Sequence, residues 1–457
     1  MKKKLGTFIV VVIVLVLALP VLNLIVGLPD NKLMDVQPQD PADARAVSTI
    51  STKCAQCHSR EPGLPFYSKL PIAGSLIQED VEEGTAHIDY LSELGRVGER
   101  PASEVTLAKT EHVVREGSMP PRKYVMMHWN HGLSGDDREA LQAWIDQTRA
   151  RNYAAPDLPA ELQKAVVRPV ATEVEFDVPR AALGNALFHD TRLSSDETVS
   201  CATCHDLAKG GTDQIRYSIG VGGAEGGINS PTVYNSGYQF MQFWDGRAAD
   251  LQGQAAGPVT NPIEMAADWE TVVSRLNADK EFSRAFLAAY PEGISQETVT
   301  HAIAEFERTL ITPDSPFDRY LMGQADALTA DQKHGYELFT DYGCTNCHVG
   351  PALGGQSFEK MGLEGDYLGD RGDPTPADQG RFSVTGDEAD RGKFKVPTLR
   401  NIALTYPYMH DGSTNDLAEV VRIMGRYQLG REISDDDAAL VVEFLGSLTG
   451  EYEGVPL

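Results

Sequence analysis

The sequence predicts a mainly α-helical chain: three small helical modules of one kind, strung behind a single apolar N-terminal helix. Three observations carry this reading. The pattern C-x-x-C-H occurs at 54–58, 201–205 and 344–348 and uses all six cysteines of the 457 residues. Helical periodicity dominates between these sites, as in 298–310 and 435–448, and no alternating strand pattern runs longer than a few residues. Residues 6–28 carry no charge and follow three lysines at positions 2–4.

The apolar run is long enough to span a bilayer as a helix. A cleaved signal peptide has a shorter apolar core and a small-x-small site after it, whereas here Val26-Gly27-Leu28 leads straight into Pro29-Asp30. An uncleaved anchor over 1–28 is therefore expected. The positive-inside rule then keeps the lysines cytoplasmic and puts 29–457 on the far side of a bacterial inner membrane, in the periplasm. Forty basic against 66 acidic residues leave a net charge of −26, with no basic stripe to replace counterions on phosphate. Nucleic acid is excluded as a partner.

Two cysteines one helical turn apart and an adjacent histidine suit covalent c-type haem: two thioethers fix the porphyrin edge and the imidazole becomes the proximal iron ligand. Composition alone gives about 0.002 such matches in a chain of this length, and there are three. Thioredoxin-like redox pairs and paired zinc knuckles leave the histidine after every pair unexplained. The expected cofactors are three covalently bound c-type haems, held by Cys54, Cys57 and His58, by Cys201, Cys204 and His205, and by Cys344, Cys347 and His348. The fold class becomes mainly α, three cytochrome c-like haem domains behind one transmembrane helix.

The domains follow from these sites. A Pro-, Asp- and Gln-rich tether covers 29–45, and the first haem domain 46–153 closes with a helix that Ser134 and Asp137 start and that Leu141, Trp144 and Ile145 make apolar on one face. A second linker, 154–180, carries four prolines. Two haem domains, 181–311 and 312–457, form a loose repeat: Leu183-Gly-Asn-Ala-Leu-Phe precedes one site and His334-Gly-Tyr-Glu-Leu-Phe the other.

The sixth iron ligand separates an electron relay from a catalyst. For the first haem the best candidate is Met119, in the stiff segment Gly117-Ser-Met-Pro-Pro, with Met126, Met127, His87, His112, His128 and His131 competing. For the third the candidates are Met361, Met409, His410 and Met424, and spacing does not choose among them. Between Asp206 and Phe240 there is no His, Met or Cys, so the second iron reads as open.

From about residue 181 to the end, the sequence resembles the bacterial dihaem cytochrome c peroxidases. The resemblance rests on Cys201-Ala-Thr-Cys-His, Gln242-Phe-Trp-Asp-Gly-Arg-Ala, Gly257-Pro-Val-Thr-Asn-Pro-Ile-Glu-Met, Thr312-Pro-Asp-Ser-Pro-Phe-Asp, Lys395-Val-Pro-Thr-Leu-Arg-Asn-Ile-Ala-Leu-Thr and Ile423-Met-Gly-Arg-Tyr-Gln-Leu-Gly. With the extra haem domain and anchor, the whole is similar to the membrane-anchored three-haem peroxidases, some of which oxidise quinol. The resemblance implies that His205 is proximal on the peroxidatic haem and that His348 and Met424 ligate the electron-transfer haem. It also implies that Glu264 is the distal acid-base carboxylate, Gln254 a distal amide and Trp244 the tryptophan between the haems. Asn229, Thr405 and Pro407 match a calcium site, the last two through backbone carbonyls. Without the resemblance, Glu264 reads as a helix-start carboxylate and Trp244 as core.

One position departs from the family. Many members carry a histidine that caps the resting peroxidatic iron, and the matching residue here is Val221, which cannot ligate. The activity expected is reduction of hydrogen peroxide to water, with electrons from the quinol pool or a small cytochrome c entering at the first haem. The partners so implied include the membrane and allow a homodimer. Two other readings stand beside it. One is a non-catalytic relay or redox sensor; the other is a protein-oxidising maturation enzyme, in whose relatives a tyrosine replaces the methionine on the second haem.

Overall fold

Helix starts and apolar spacing written in the sequence set the frame. The computed structural model describes residues 20–457, and the chain divides after Ala165 into two units. In the first, α1 (Pro41–Lys53) is started by Asp40, whose carboxylate accepts from the Ala42 and Asp43 N–H groups. Its Ala46, Val47 and Ile50 form one buried face. Next come α2 (Pro71–His87), α3 (Glu104–Glu116) and α4 (Gly135–Asn152). Ser134 and Asp137 close a capping box on α4, and Leu141, Trp144 and Ile145 point inward. Trp144 Nε1 donates to Asp43 Oδ1 at 2.9 Å, tying α4 to α1 inside the core.

The stretch 29–45 is not a free tether. Leu33 is fully buried in the core with Ala46 and Ile50, and Asn31 Nδ2 donates to the Ser51 carbonyl at 2.8 Å. A single leucine among polar residues is a weak sequence signal, and its burial pins the segment.

The expected inner-membrane anchor is corrected. Among the described residues no helix is long and apolar enough to cross a membrane. Within the apolar run Asn23 is buried, donating through Nδ2 to Tyr67 Oη (3.3 Å) and to the Met127 carbonyl (3.0 Å). The rest of the segment expected as anchor, 1–19, lies outside the described residues.

The second unit contains α5 (Val178–Phe188), α6 (Leu251–Thr260), α7 (Gln296–Thr309), α8 (Ala330–Asp341), α9 (Leu417–Gln428) and α10 (Asp435–Gly446). The sequence repeat is a repeated helix crossing. Gly184 of α5 lies so close to α7 that a Cβ there would stand 1.9 Å from the Ala302 carbonyl oxygen and 2.8 Å from Phe306 Cβ. Gly335 of α8 meets α10 the same way, 2.0 Å from the Leu440 carbonyl and 2.9 Å from Phe444 Cβ. Each crossing delivers its chain into a C-x-x-C-H loop. Among the described residues strands are confined to two short antiparallel pairs, one of them β1 (Phe358–Lys360) with β2 (Lys393–Lys395), in which Phe358 faces Lys395.

The Pro-rich stretch before α5 is pinned as well: the Gly350 N–H donates to the Val166 carbonyl at 2.8 Å, and Val167 is buried against Phe317 and Leu353. The two halves of this unit meet at Thr312, whose hydroxyl accepts from Asn235 (2.7 Å) and Asn401 (3.1 Å).

On α7 Glu307 is 5% exposed and its Oε2 lacks a partner among the described residues; burial pushes it up to about 8 from an ordinary 4.5. Between those values the folded state keeps a proton that the unfolded chain has released, so stability falls as pH rises through that window. Glu307→Gln is expected to lose less stability than the parent between pH 5 and 9, by on the order of a few kcal/mol. Thermal midpoints against pH measure this, and parallel curves would reject it.

Candidate active site and haem-attachment loops

Each histidine that follows a cysteine pair is half-buried, and each anchors its ring by Nδ1 on a backbone carbonyl. His58 Nδ1 meets the Gly84 oxygen at 2.8 Å, His205 the Gly211 oxygen at 3.4 Å and His348 the Leu353 oxygen at 3.0 Å. A carbonyl only accepts, so Nδ1 carries the proton and Nε2 keeps its lone pair. Burial pulls all three rings below the usual imidazole value, which keeps them neutral and able to ligate. Burial also pushes Cys54, Cys201 and Cys344 up to about 12, so these are neutral thiols. Cys201 lies against Phe188, Tyr234 and Phe306, an apolar setting suited to a vinyl edge. The residues at all three loops fit a covalently attached haem.

Glu264 sits in a turn stitched to the end of α6: the Met265 N–H donates to the Pro258 carbonyl (3.2 Å) and the Ala267 N–H to Val259 (2.8 Å). That turn therefore packs against the helix carrying half-buried Gln254. Asn261 Nδ2 donates to Glu264 Oε1 at 2.6 Å and orients the carboxyl. Burial raises its pKa, opposed by Arg247 and by the Asn261 bond. The Glu264 charge in turn helps to raise the thiols of Cys201 and Cys204, and loop 218–226, which crosses the Glu264 turn, reaches Cys204 through a Ser218 side-chain hydrogen bond.

Loop 218–226 lies across the same turn. The Val221 N–H donates to the Glu264 carbonyl at 2.8 Å, and a Cβ on Gly220 would meet the Ile263 and Glu264 carbonyl oxygens at 2.2 and 2.6 Å. Only glycine lets the two segments approach so closely. The Val221 side chain packs on the apolar cluster of Leu183, Leu187 and Met265.

Trp244 Nε1 donates to the Asn229 carbonyl at 2.9 Å, and its ring stands edge-on to His410 at 6.5 Å. It packs on the cluster of Met361, Tyr367 and Phe394, which Met424 from α9 and Met409 also join. His410, a ligand candidate from the sequence, is otherwise engaged. Its Nε2 is 2.7 Å from Asp378 Oδ1 and it stacks on Phe394 at 4.3 Å. Burial pushes Asp378 up, but Arg371, the Thr375 N–H and His410 together hold it down to about 2. Asn229 is buried, with Nδ2 donating to the Ile215 (3.1 Å) and Arg216 (3.3 Å) carbonyls, while Thr405 and Pro407 flank Tyr406 in the loop after β2.

In the first unit Met119 is half-buried just after Gly117, the left-handed end of α3. His128 has both ring nitrogens engaged, by the Tyr124 carbonyl (3.0 Å) and Tyr67 Oη (2.9 Å). Met126 is 70% exposed. His131, whose buried Nδ1 lacks a partner among the described residues, stays beside Met119 as a candidate.

The model of the di-haem cytochrome c peroxidase family matches residues 178–326, and that of a haem-binding domain matches 19–147. A cytochrome c peroxidase of Escherichia coli is 46% identical over 401 residues, 87% of this chain and 86% of that protein. The chain belongs to the di-haem cytochrome c peroxidase family. It is a peroxidase with c-type haem. A cytochrome c551 peroxidase of Nitrosomonas europaea is 46% identical over 62% of this chain and 84% of its own length. Among solved structures, a MauG-like protein associated with microbial copper homeostasis superposes with a TM-score of 0.57 at 32% identity, over 65% of this chain and 96% of that one.

Three features of this family member escape sequence reasoning. Glu307 reads as an exposed helix position, the Arg371–Asp378–His410 chain joins residues up to 39 apart, and Lys395 is 5% exposed although lysine reads as surface. A signal existed only for Lys395, inside the stretch Lys395-Val-Pro-Thr-Leu-Arg-Asn that carries the family resemblance.

Proposed function

We propose that this peroxidase reduces hydrogen peroxide to two waters, taking two electrons and two protons, at the haem on Cys201, Cys204 and His205. When bound there, haem supplies the redox chemistry that breaks the O–O bond. Glu264 takes a proton from one peroxide oxygen and returns it to the other, the one that leaves as water. Gln254 orients peroxide without competing for that proton. The observation that carries this reading is the raised, Asn261-oriented carboxyl of Glu264, whose charge helps to raise the Cys201 and Cys204 thiols.

Cys54, Cys57 and His58, with Met119, would hold a haem that takes electrons from quinol or a small c-type cytochrome. Cys344, Cys347, His348 and Met424 would hold a second relay haem, which would supply electrons to the haem on His205 with Trp244 on the path. Asn229, with the carbonyls of Thr405 and Pro407, holds calcium. The apolar setting of Met424, among Met361, Phe394 and Tyr427, supports a His/Met relay haem over the tyrosine-ligated, protein-oxidising alternative.

The test is to mix fully reduced, anaerobic protein with one equivalent of hydrogen peroxide in a stopped-flow instrument. Loss of two electrons per peroxide is expected within the first turnover, and oxidation that is slow and not stoichiometric would leave a relay or sensor as the better account.

A further inference from the structure

A buried ammonium group costs several kcal/mol unless an anion stands near it. Lys395, on β2, is 5% exposed, and its Nζ donates to Gln239 Oε1, an uncharged acceptor. Among the described residues no carboxylate pairs with it, and desolvation pulls its pKa down to about 7 without a charged neighbour to oppose the fall. The side chain is thus held as though an anion completes its shell.

Its neighbours say which anion. The preceding residue, Phe394, packs in the cluster that holds Met424 and Met361. Two residues on, the Pro397 carbonyl would lie 2.0 Å from a Cβ on Gly354, and the Gly354 N–H donates to the carbonyl of Val349, next to His348. The strand therefore runs between the loop bearing His348 and the cluster bearing Met424. The Lys395 N–H is meanwhile held at 2.8 Å by the Trp244 carbonyl, which fixes where the side chain starts. A haem placed between His348 and Met424 brings two carboxylates, its propionates, into this part of the unit.

We infer that Lys395 Nζ pairs with a propionate of the haem on Cys344, Cys347 and His348, and that its charge favours the reduced state of that haem. The inference rests on the proposal that this loop carries a haem. Ferric haem holds one more positive charge than ferrous haem, so a buried cation beside it disfavours oxidation.

The test uses the full-length holoprotein. Haem content is measured first, by pyridine haemochromogen and by protein mass, and a deficit of one haem in the wild type would fail the underlying proposal before Lys395 is examined. Lys395→Met, of similar length and uncharged, is then titrated spectroelectrochemically beside the wild type and Lys395→Arg. Of the two haems assigned His/Met ligation, the one on His348 and Met424 is expected to become at least tenfold harder to reduce in Lys395→Met, about 59 mV for one electron, with the His58 haem unshifted. Lys395→Arg should restore most of the shift, which a packing role would not do. Lys395→Gln replaces the methionine variant if that protein loses haem. An unchanged potential at full haem content, or a shift confined to the high-spin haem, would overturn the inference.

Discussion

Glu264→Gln is expected to slow peroxide-driven oxidation of the fully reduced protein by roughly 10²–10⁴-fold, the usual range for losing one general acid-base group, while haem content and spectra stay unchanged. The substitution separates position from chemistry. The amide keeps an oxygen that can accept from Asn261 Nδ2, now 2.6 Å from Oε1, and the backbone bonds that seat the turn on α6 are untouched. Only the capacity to take a proton goes. The pH profile supplies a second readout. Burial raises the carboxyl above its ordinary 4.5, against the pull of Arg247 and Asn261. Proton acceptance needs the ionised form, so the wild-type rate should fall as pH drops through that raised value. The variant should lack this limb. A Glu264→Gln protein that reacts at the parental rate with the parental pH profile would remove Glu264 from the mechanism.

The attachment loops, the capped start of α4 and the α5/α8 repeat were legible because each rests on local chemistry. A C-x-x-C-H pentapeptide, a Ser134/Asp137 box and an Ala46–Val47–Ile50 face all sit within a turn or two of chain. The glycines of the repeat were visible as letters, but their reason was not: Gly184 and Gly335 answer to carbonyls more than 100 residues away in sequence. Lys395 and His410 illustrate the same limit. Their partners, Gln239 and Asp378, lie 156 and 32 residues off, so neither contact can be read from the neighbouring sequence. The N-terminus failed for another reason. Hydropathy sees only that 6–28 is apolar, whereas Asn23 within it is spent on Tyr67 and Met127 of the first unit. The roles proposed for Glu264 as acid-base carboxylate and Gln254 as orienting amide came from resemblance, since a carboxylate after Asn261-Pro262 reads on its own as a helix start.

The all-ferric protein is expected to show a high-spin haem signal and to react with peroxide without prior reduction. In a gated relative a loop ligand must leave before peroxide can bind. Here the corresponding residue is Val221, and no His, Met or Cys occurs from Asp206 to Phe240. The loop is also fastened. Val221 donates to the Glu264 carbonyl, Gly226 donates to the Ser218 carbonyl at 2.9 Å, and Gly220 is wedged against two backbone oxygens that exclude any side chain. A loop held to the Glu264 turn by its own backbone gives reduction of the partner haem no local ligand to release. Electron paramagnetic resonance of the oxidised protein, with peroxide binding rates compared between all-ferric and half-reduced samples, measures this. Equal rates are expected. A wholly low-spin oxidised spectrum, with peroxide bound only after one-electron reduction, would mean that a ligand from outside this loop reaches the iron and that gating persists by another route.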